Sequence, residues 1–125
     1  MKPVSVMIVD DDIAARELLA SLLRTLLNVD IEALSDGVDA MRRFREKSYD
    51  IVLMDFEMPG MDGLATIEII KSLRPDQFIA MVSAHSDVEV VKKAIGLGVS
   101  GYLVKPLTTG KVKGVVDKYL QSITA

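Results

Sequence analysis

The sequence contains no cysteine, so disulfide bonds, thiolate catalysis and cysteine-ligated zinc are excluded, and the composition suits a reducing compartment. It also lacks an excess of positive charge. With a formal net charge of −3 and a pI of about 5.1, the chain offers no net basic surface to nucleic acid or anionic lipid. No apolar run approaches the roughly 18 residues that span a bilayer, and the start of the chain lacks the apolar stretch of a signal peptide. We therefore expect a soluble, cytoplasmic protein with no direct nucleic acid or membrane partner.

The chain does have enough apolar residues for one compact core, since 50% of its 125 residues are hydrophobic. Stretches with the hydrophobic pattern of strands alternate along the chain with stretches that have the pattern of helices. This alternation indicates a parallel sheet covered by helices. Five short apolar runs are predicted to be strands that are covered on both faces of the sheet. They are Ser5–Val9, Asp30–Leu34, Ile51–Met54, Phe78–Val82 and Gly101–Val104. The sequence thus predicts an α/β fold with five strands, in one domain over residues 1–125 without linkers or repeats.

Amphipathic patterns between the strands predict five helices. The second has Gly37, Ala40, Met41 and Phe44 on one face. The third opens at Asp62-Gly63-Leu64 and runs through Leu73, and a capping box at Ser86-Asp87-Val88-Glu89 opens the fourth. The apolar face of the first helix is predicted to hold Ala15, Leu18, Leu19, Leu22 and Leu26, and that of the last Val112, Val115, Val116, Tyr119, Leu120 and Ile123.

Four predicted strands end in polar residues, at the edge where open α/β sheets bind their ligands. The first is followed by Asp10-Asp11-Asp12, the third by Asp55, the fourth by Ser83 and the fifth by Lys105. Carboxylates crowded together repel by about 4 kcal/mol for a pair 4 Å apart at an effective dielectric near 20, so they need a cation or a proton. The group therefore predicts a site for Mg²⁺, which takes carboxylate, water and phosphate oxygens as ligands.

Such a site is suited to phosphoryl transfer. Asp55 is the predicted nucleophile, because a metal and a cation can neutralise the phosphoryl oxygens while the carboxylate attacks. Lys105 is expected to place its charge on those oxygens, and Ser83 to donate a hydrogen bond to them. Asp12 is expected to cap a helix, and the single histidine, His85, to be a solvated loop residue. A hydroxyl drawn toward new charge moves its loop, so the site also predicts a switch.

These residues lie in stretches that resemble the receiver domains of response regulators. The matching stretches are Val6–Asp11 followed by Arg16, Ile51–Asp55 followed by Met58–Gly63, Val82–Ala84 and Gly101–Pro106. The resemblance covers nearly the whole chain. It implies a doubly wound, flavodoxin-like (βα)5 domain with strand order 2-1-3-4-5.

The resemblance also implies a function in phosphorelay signalling. Asp10, Asp11, Asp55 and the backbone carbonyl of Glu57 would bind Mg²⁺, and a histidine kinase, a phosphotransfer protein or a small donor such as acetyl phosphate would phosphorylate Asp55. The domain would then change the surface formed by its fourth helix, fifth strand and fifth helix, and so regulate a downstream protein or output domain. It would not be an enzyme toward other substrates, because it would catalyse only its own phosphorylation and dephosphorylation.

Further residue roles follow from the same resemblance. Ser83 and Tyr102 would form a coupled switch pair, in which the ring turns inward when the hydroxyl moves toward the phosphoryl group. Glu57 and His85 would tune the rate at which water attacks the acyl phosphate. The bond between Lys105 and Pro106 is expected to be cis.

Two other functions remain open on the sequence. Asp10-Asp11-Asp12 contains the Asp-x-Asp spacing of aspartate-nucleophile phosphatases of the haloacid dehalogenase type, although Ala14 stands where that motif has Thr or Val, and Asp55 would have no task. A degenerate receiver acting as a fixed binding module is the other. The segment Leu107–Lys111 departs from the Phe-then-acidic pattern of receivers that dimerise to drive DNA-binding domains, which disfavours a receiver cut from such a regulator.

Overall fold

The computed structural model describes residues 2–58, 63–84 and 88–124. Strands and helices alternate through the described residues, and each predicted strand is present with its ends moved by at most one residue. The predicted Asp62 and the first two residues of the predicted capping box lie outside the described residues. The elements are β1 (Val4–Val9), α1 (Ile13–Leu26), β2 (Val29–Leu34), α2 (Gly37–Glu46), β3 (Ile51–Asp55), α3 (Gly63–Leu73), β4 (Phe78–Ser83), α4 (Val88–Gly96), β5 (Gly101–Val104) and α5 (Thr109–Thr124).

The five strands form one parallel sheet in the order β2-β1-β3-β4-β5, which confirms the predicted fold class and topology. The order reverses between β1 and β3, because the chain first moves outward to β2 and then returns to the other side of β1. A crevice therefore opens at the carboxyl ends of β1 and β3, where doubly wound folds bind their ligands.

Each face of the sheet is covered by its own core. Alternate residues of β1 illustrate the division, since Val6 and Ile8 belong to one core and Met7 and Val9 to the other, all at most 1% exposed. Burial on both faces explains why the central strands are continuously apolar. The α1/α5 core takes Leu19, Ala20, Leu23, Val112, Val115, Val116 and Tyr119 from its helices, and the α2–α4 core takes Ala40, Met41, Phe44, Ile67, Ile70 and Ala94.

The expectation that every strand is covered on both faces is wrong for β2. None of its residues is fully buried, and Asp30 and Ala33 are exposed. The reason is its place in the sheet: β2 is an edge strand that pairs with β1 alone. Val29 and Ile31 pack at the rim of the α1/α5 core, and Leu34 packs at the rim of the α2–α4 core.

Two predicted helix faces are also partly wrong. In α1 the buried face is centred on Leu19 and Leu23, while Leu18 is 46% exposed. In α5 the stripe is buried as far as Tyr119, but Leu120 is 37% and Ile123 59% exposed. The ring of Tyr119 packs edge-to-face on Phe78, the first residue of β4, with centroids 5.5 Å apart, so the last turn of α5 extends beyond the end of the sheet. Within the described parts of the chain, no helix combines the length and apolarity needed to cross a membrane.

Candidate functional site

The carboxyl ends of β1 and β3 bring an acidic cluster together. Val9 pairs in register with Met54, so Asp10 and Asp55 follow as neighbours in the crevice. Both are only 4% exposed, whereas Asp11 is exposed at the rim. One carboxylate oxygen from each of the three residues lies within 4.8 Å of the others. The predicted convergence of strand ends therefore places three carboxylates in one group.

Asp10 is held in place by contacts to both of its carboxylate oxygens. The backbone N–H of Asp12 donates to Oδ1 at 2.9 Å, and the ammonium of Lys105 donates to Oδ2 at 3.1 Å. The guanidinium of Arg16 donates to the carbonyl oxygen of Asp10 at 2.6 Å. Asp12 itself accepts from the N–H of Ala14 at 2.9 Å and caps α1, as predicted. The turn from β1 into α1 is thus fixed by local hydrogen bonds.

Asp55 is less fully compensated than Asp10. Its Oδ1 accepts from the backbone N–H of Glu57 at 3.3 Å and lies 3.9 Å from the Lys105 ammonium. Burial and, next, the charge of Asp10 raise the pKa of Asp55 to about 7 from a usual value of 3.8, against the lowering effects of Lys105 and the Glu57 amide. The cluster therefore holds more negative charge than its side chains neutralise.

Lys105 is the cation that faces this cluster. Burial alone would lower the pKa of its ammonium, but the hydrogen bond to Asp10 and the charges of Asp55 and Asp10 outweigh burial and raise it overall. Lys105 is therefore charged at neutral pH. The three carboxylates form an oxygen donor set whose negative charge exceeds the single positive charge of Lys105, which fits a hard divalent cation such as Mg²⁺.

The backbone beside Asp55 is packed too closely for a side chain on Gly63. A Cβ there would lie 2.4 Å from the carbonyl oxygen of Asp55 and 2.9 Å from Cα of Phe56. The N–H of Gly63 donates to the carbonyl of Phe56 at 3.2 Å, and the N–H of Phe56 donates to the carbonyl of Val82 at 2.9 Å. The start of α3 is thus pressed against the strand that carries Asp55. The sequence contains the glycine in a matching stretch, but its spacing alone does not reveal this contact.

Ser83 and Tyr102 lie on the neighbouring strands β4 and β5. Ser83 ends β4 fully buried, and its carbonyl accepts from the N–H of Lys105 at 2.7 Å. Tyr102 pairs with Met81, is half-buried and packs against the α2–α4 core. Their coupling stays a prediction.

The sequence also led to predictions for Glu57, His85 and the peptide bond before Pro106. Glu57 is exposed and reaches the site through its backbone amide. His85 lies outside the described residues. The bond between Lys105 and Pro106 is cis, as predicted.

An acidic crevice at the switch point of a five-stranded doubly wound sheet defines an α/β domain of the class predicted from the sequence. A family model described as the response regulator receiver domain matches residues 6–117. The chain therefore belongs to the response regulator receiver domain family, which functions in two-component signalling.

Relatives of two lengths match this chain. The transcriptional regulatory protein ZraR of Salmonella typhimurium is 36% identical over 117 residues, which are 94% of this chain and 26% of that protein. The chemotaxis protein CheY-3 of Vibrio cholerae is 32% identical over 127 residues, covering 98% of this chain and 95% of that protein. The chain thus spans about a quarter of the length of ZraR.

Solved structures support the same fold. The crystal structure of a response regulator receiver domain protein from Clostridium thermocellum superposes with a TM-score of 0.88 and covers 97% of both chains at 22% identity. The structure of the chemotaxis response regulator CheY4 of Vibrio cholerae gives a TM-score of 0.85, also at 22% identity, and covers 94% of this chain and 99% of that one. At these identities the likeness concerns the fold alone.

Proposed function

We propose that this receiver domain is a phosphorelay switch that accepts a phosphoryl group on Asp55 in a Mg²⁺-dependent reaction. The observation that carries the proposal is the charge arrangement in the crevice. Asp10 and Asp55 are both buried at neighbouring strand ends, and the Lys105 ammonium lies 3.1 Å from one and 3.9 Å from the other. A buried, metal-binding carboxylate beside a fixed cation is the arrangement that phosphoryl transfer to a carboxylate requires.

Transfer begins with attack of an Asp55 carboxylate oxygen on phosphorus. The bond between phosphorus and the donor's leaving group breaks, that group departs with the bonding electrons, and an acyl phosphate remains on Asp55. The Lys105 ammonium attracts the phosphoryl oxygens, and the Ser83 hydroxyl donates a hydrogen bond to them. Both groups are placed by strand ends rather than by mobile loops, which limits the reorganisation needed during transfer.

Asp10, Asp11 and Asp55, with the backbone carbonyl of Glu57, would hold the metal. When bound, Mg²⁺ supplies positive charge that offsets the charge on the phosphoryl oxygens. The metal-binding role fits the raised pKa of Asp55, because a side chain crowded by other carboxylates needs a cation to stay ionised near neutral pH. Ionised Asp55 is the form that can act as nucleophile.

The switch would travel from Ser83 to the surface of α4, β5 and α5. A Ser83 hydroxyl drawn to the phosphoryl group would move the end of β4, which is bonded to Lys105 at the end of β5. Tyr102, on the same strand, would then repack against the α2–α4 core and alter the surface read by a downstream protein or output domain. A histidine kinase or phosphotransfer protein would supply the phosphoryl group.

The phosphatase alternative, in which Asp10 is the nucleophile, is disfavoured by the contacts of Asp10. Its Oδ1 accepts from the Asp12 amide and its Oδ2 from the Lys105 ammonium, and these hydrogen bonds make both oxygens weaker nucleophiles. Membership of the receiver family points the same way.

The test is incubation with acetyl phosphate and Mg²⁺ followed by intact-mass measurement. We expect one phosphoryl adduct on the wild type, none on Asp55→Asn, and loss of the adduct when EDTA removes the metal. Asp12→Asn is the matched control, because it removes a carboxylate from the same turn while Asn still caps the helix. An equal adduct on wild type and Asp55→Asn, or none on the wild type, would refute the proposal.

A further inference from the structure

Lys111, in the first turn of α5, holds the segment that carries Lys105. Its ammonium donates to the carbonyl oxygens of Val104 at 2.9 Å and Pro106 at 3.0 Å, the two residues on either side of Lys105. Its backbone N–H donates to Oγ1 of Thr108 at 3.2 Å. The hydrogen bonds of the Lys111 ammonium therefore join the first turn of α5 to the end of β5.

This contact restrains Lys105 from the side opposite the sheet. On the sheet side, the backbone N–H of Lys105 donates to the carbonyl of Ser83 at 2.7 Å. With Lys111 bound to both flanking carbonyls, the backbone of Lys105 is held between β4 and α5. The Lys105 side chain therefore extends from a fixed backbone position toward Asp10 and Asp55.

Stabilisation of the helix does not explain a lysine at this position. The first turn of a helix presents unpaired N–H groups and a partial positive charge, which disfavour a cation. In this structure the Lys111 ammonium instead turns back to two carbonyl oxygens outside the helix. The contact lies in the segment Leu107–Lys111, which departs from the Phe-then-acidic pattern of receivers that dimerise to drive DNA-binding domains.

We propose that Lys111 is a positioning residue for phosphoryl transfer, acting through Lys105. It fixes the two carbonyls that flank Lys105 and so keeps the Lys105 ammonium where the phosphoryl oxygens will form. The inference rests on the proposed function, in which Lys105 attracts those oxygens. A displacement of a catalytic group by about 1 Å is enough to slow a reaction substantially, so a remote restraint of this kind has a kinetic effect.

The first experiment measures the restraint in the unphosphorylated, metal-free protein. Lys111→Met keeps the length of the side chain and removes its donors, Lys111→Arg keeps the donors, and Lys113→Met is the matched control. Lys113 is exposed on the same helix, where its ammonium pairs with Asp117 at 2.8 Å. We expect amide hydrogen exchange at Lys105, followed by NMR, to speed up about tenfold in Lys111→Met and to change less than about twofold in Lys111→Arg and Lys113→Met.

The second experiment measures the rate of phosphorylation by acetyl phosphate at saturating Mg²⁺. Lys111→Met should lower the rate constant about three- to tenfold, Lys111→Arg should restore most of it, and Lys113→Met should leave it unchanged. In a Lys105→Ala background the Lys111→Met change should have no further effect, because the group that Lys111 positions is gone. A merely structural role would lower the rate equally in both backgrounds.

The outcomes separate the two proposals. Phosphorylation of the wild type with equal rates in Lys111→Met and Lys113→Met overturns the positioning role and leaves the proposed function intact. An undiminished Lys111→Met effect in the Lys105→Ala background overturns it as well, as does unchanged amide exchange at Lys105. A wild type that takes no phosphoryl group overturns the proposed function and the positioning role together.

Discussion

The Lys105 ammonium lies 3.1 Å from Oδ2 of Asp10 and pairs with that carboxylate before any phosphoryl group is present. Asp55, the proposed acceptor, is farther away at 3.9 Å. Asp10 therefore keeps the cation at the site, while Asp55 retains uncompensated charge. Because Lys105 lies closer to Asp10 than to Asp55, we expect substitutions of Asp10, Asp55 and Lys105 to have different effects.

Lys105→Met should impair phosphorylation more than it impairs folding. The substitution removes the ammonium that attracts the phosphoryl oxygens, and loss of one such group commonly costs about 100-fold in rate. We expect the acetyl phosphate reaction to slow by about 10- to 100-fold at saturating Mg²⁺, measured by intact mass over time. Lys118→Met, on the exposed side of α5, is the control and should react at the wild-type rate. Equal rates in the two variants would contradict the role given to Lys105.

Asp55→Asn should stabilise the metal-free domain at high pH. The folded-state pKa of Asp55 is raised from 3.8 to about 7, so its favourable contribution is fully present below pH 4 and is lost as the pH rises through 7. Asn has no such loss. After a discount for screening by water, we expect the variant to exceed the wild type in free energy of unfolding by about 1–2 kcal/mol at pH 8, and by much less at pH 4.

Urea denaturation in EDTA at the two pH values checks this expectation. Asp12→Asn controls for removing a nearby carboxylate and should show a smaller difference between the two pH values. A stability difference between Asp55→Asn and the wild type that does not grow with pH would contradict the charge arrangement described for the cluster.

Mg²⁺ should raise the melting temperature of the wild type in a concentration-dependent way, because a ligand that binds only the folded state stabilises it by mass action. Asp10→Asn should lose most of this response, since it removes one of the three clustered carboxylates. Asp36→Asn is the control: Asp36 caps α2 outside the cluster, and Asn preserves the cap. A thermal melt with equal Mg²⁺ responses in the two variants would place the metal elsewhere.

Gly63→Ala should destabilise the domain by about 1–3 kcal/mol, as overpacking does. The new Cβ would lie 2.4 Å from the carbonyl oxygen of Asp55, and a backbone atom cannot yield as a flexible side chain can. Gly114→Ala provides the contrast, because the added Cβ has no atom within 4 Å other than those of the adjacent residues and of its own helix backbone, and Ala is the better helix former, by up to about 1 kcal/mol. Chemical denaturation should therefore shift in opposite directions in the two variants.

Substitution of Glu57 or His85 should change the lifetime of the phosphorylated form without preventing phosphorylation. Glu57→Gln keeps the backbone amide that donates to Asp55 and alters only the exposed side chain. For His85 the expectation rests on its position in the sequence, two residues beyond Ser83. The decay of the phosphorylated protein after removal of the donor measures the effect. Identical decay in both single variants and the double variant would argue against it.

The sequence predicts the central strands well because of where they lie. A parallel strand buried on both faces is apolar throughout, and β3 and β4 show this over their full length. The exposure of β2 follows from its position at the edge of the sheet. The hydrophobic period of a strand does not reveal that position, because it carries no information about strand order. The error at Leu18 has a related cause, because the angle at which α1 packs on the sheet decides whether Leu18 or Leu23 faces the core.

Only some residues of the candidate site could be predicted from the sequence. Asp10, Asp55 and Lys105 could be brought together from the sequence, since parallel strands end at a common edge. The contacts of Lys111 and the close approach of Gly63 could not, because they depend on how loops fold back on the backbone. Residues that chemistry marks by type were found, and residues that matter by what they touch were not.

The two separate cores make the sheet a partition between two sides that pack independently. Leu103 of β5 packs into the α1/α5 core, while its neighbour Tyr102 packs against the α2–α4 core. A rearrangement of Tyr102 would therefore disturb the α2–α4 core first, and it would reach the surface of α5 through the groove that Tyr102 lines with Val115 and Lys118. Helix α1, which packs in the α1/α5 core and lies outside the proposed α4–β5–α5 surface, would keep its position while that surface changes.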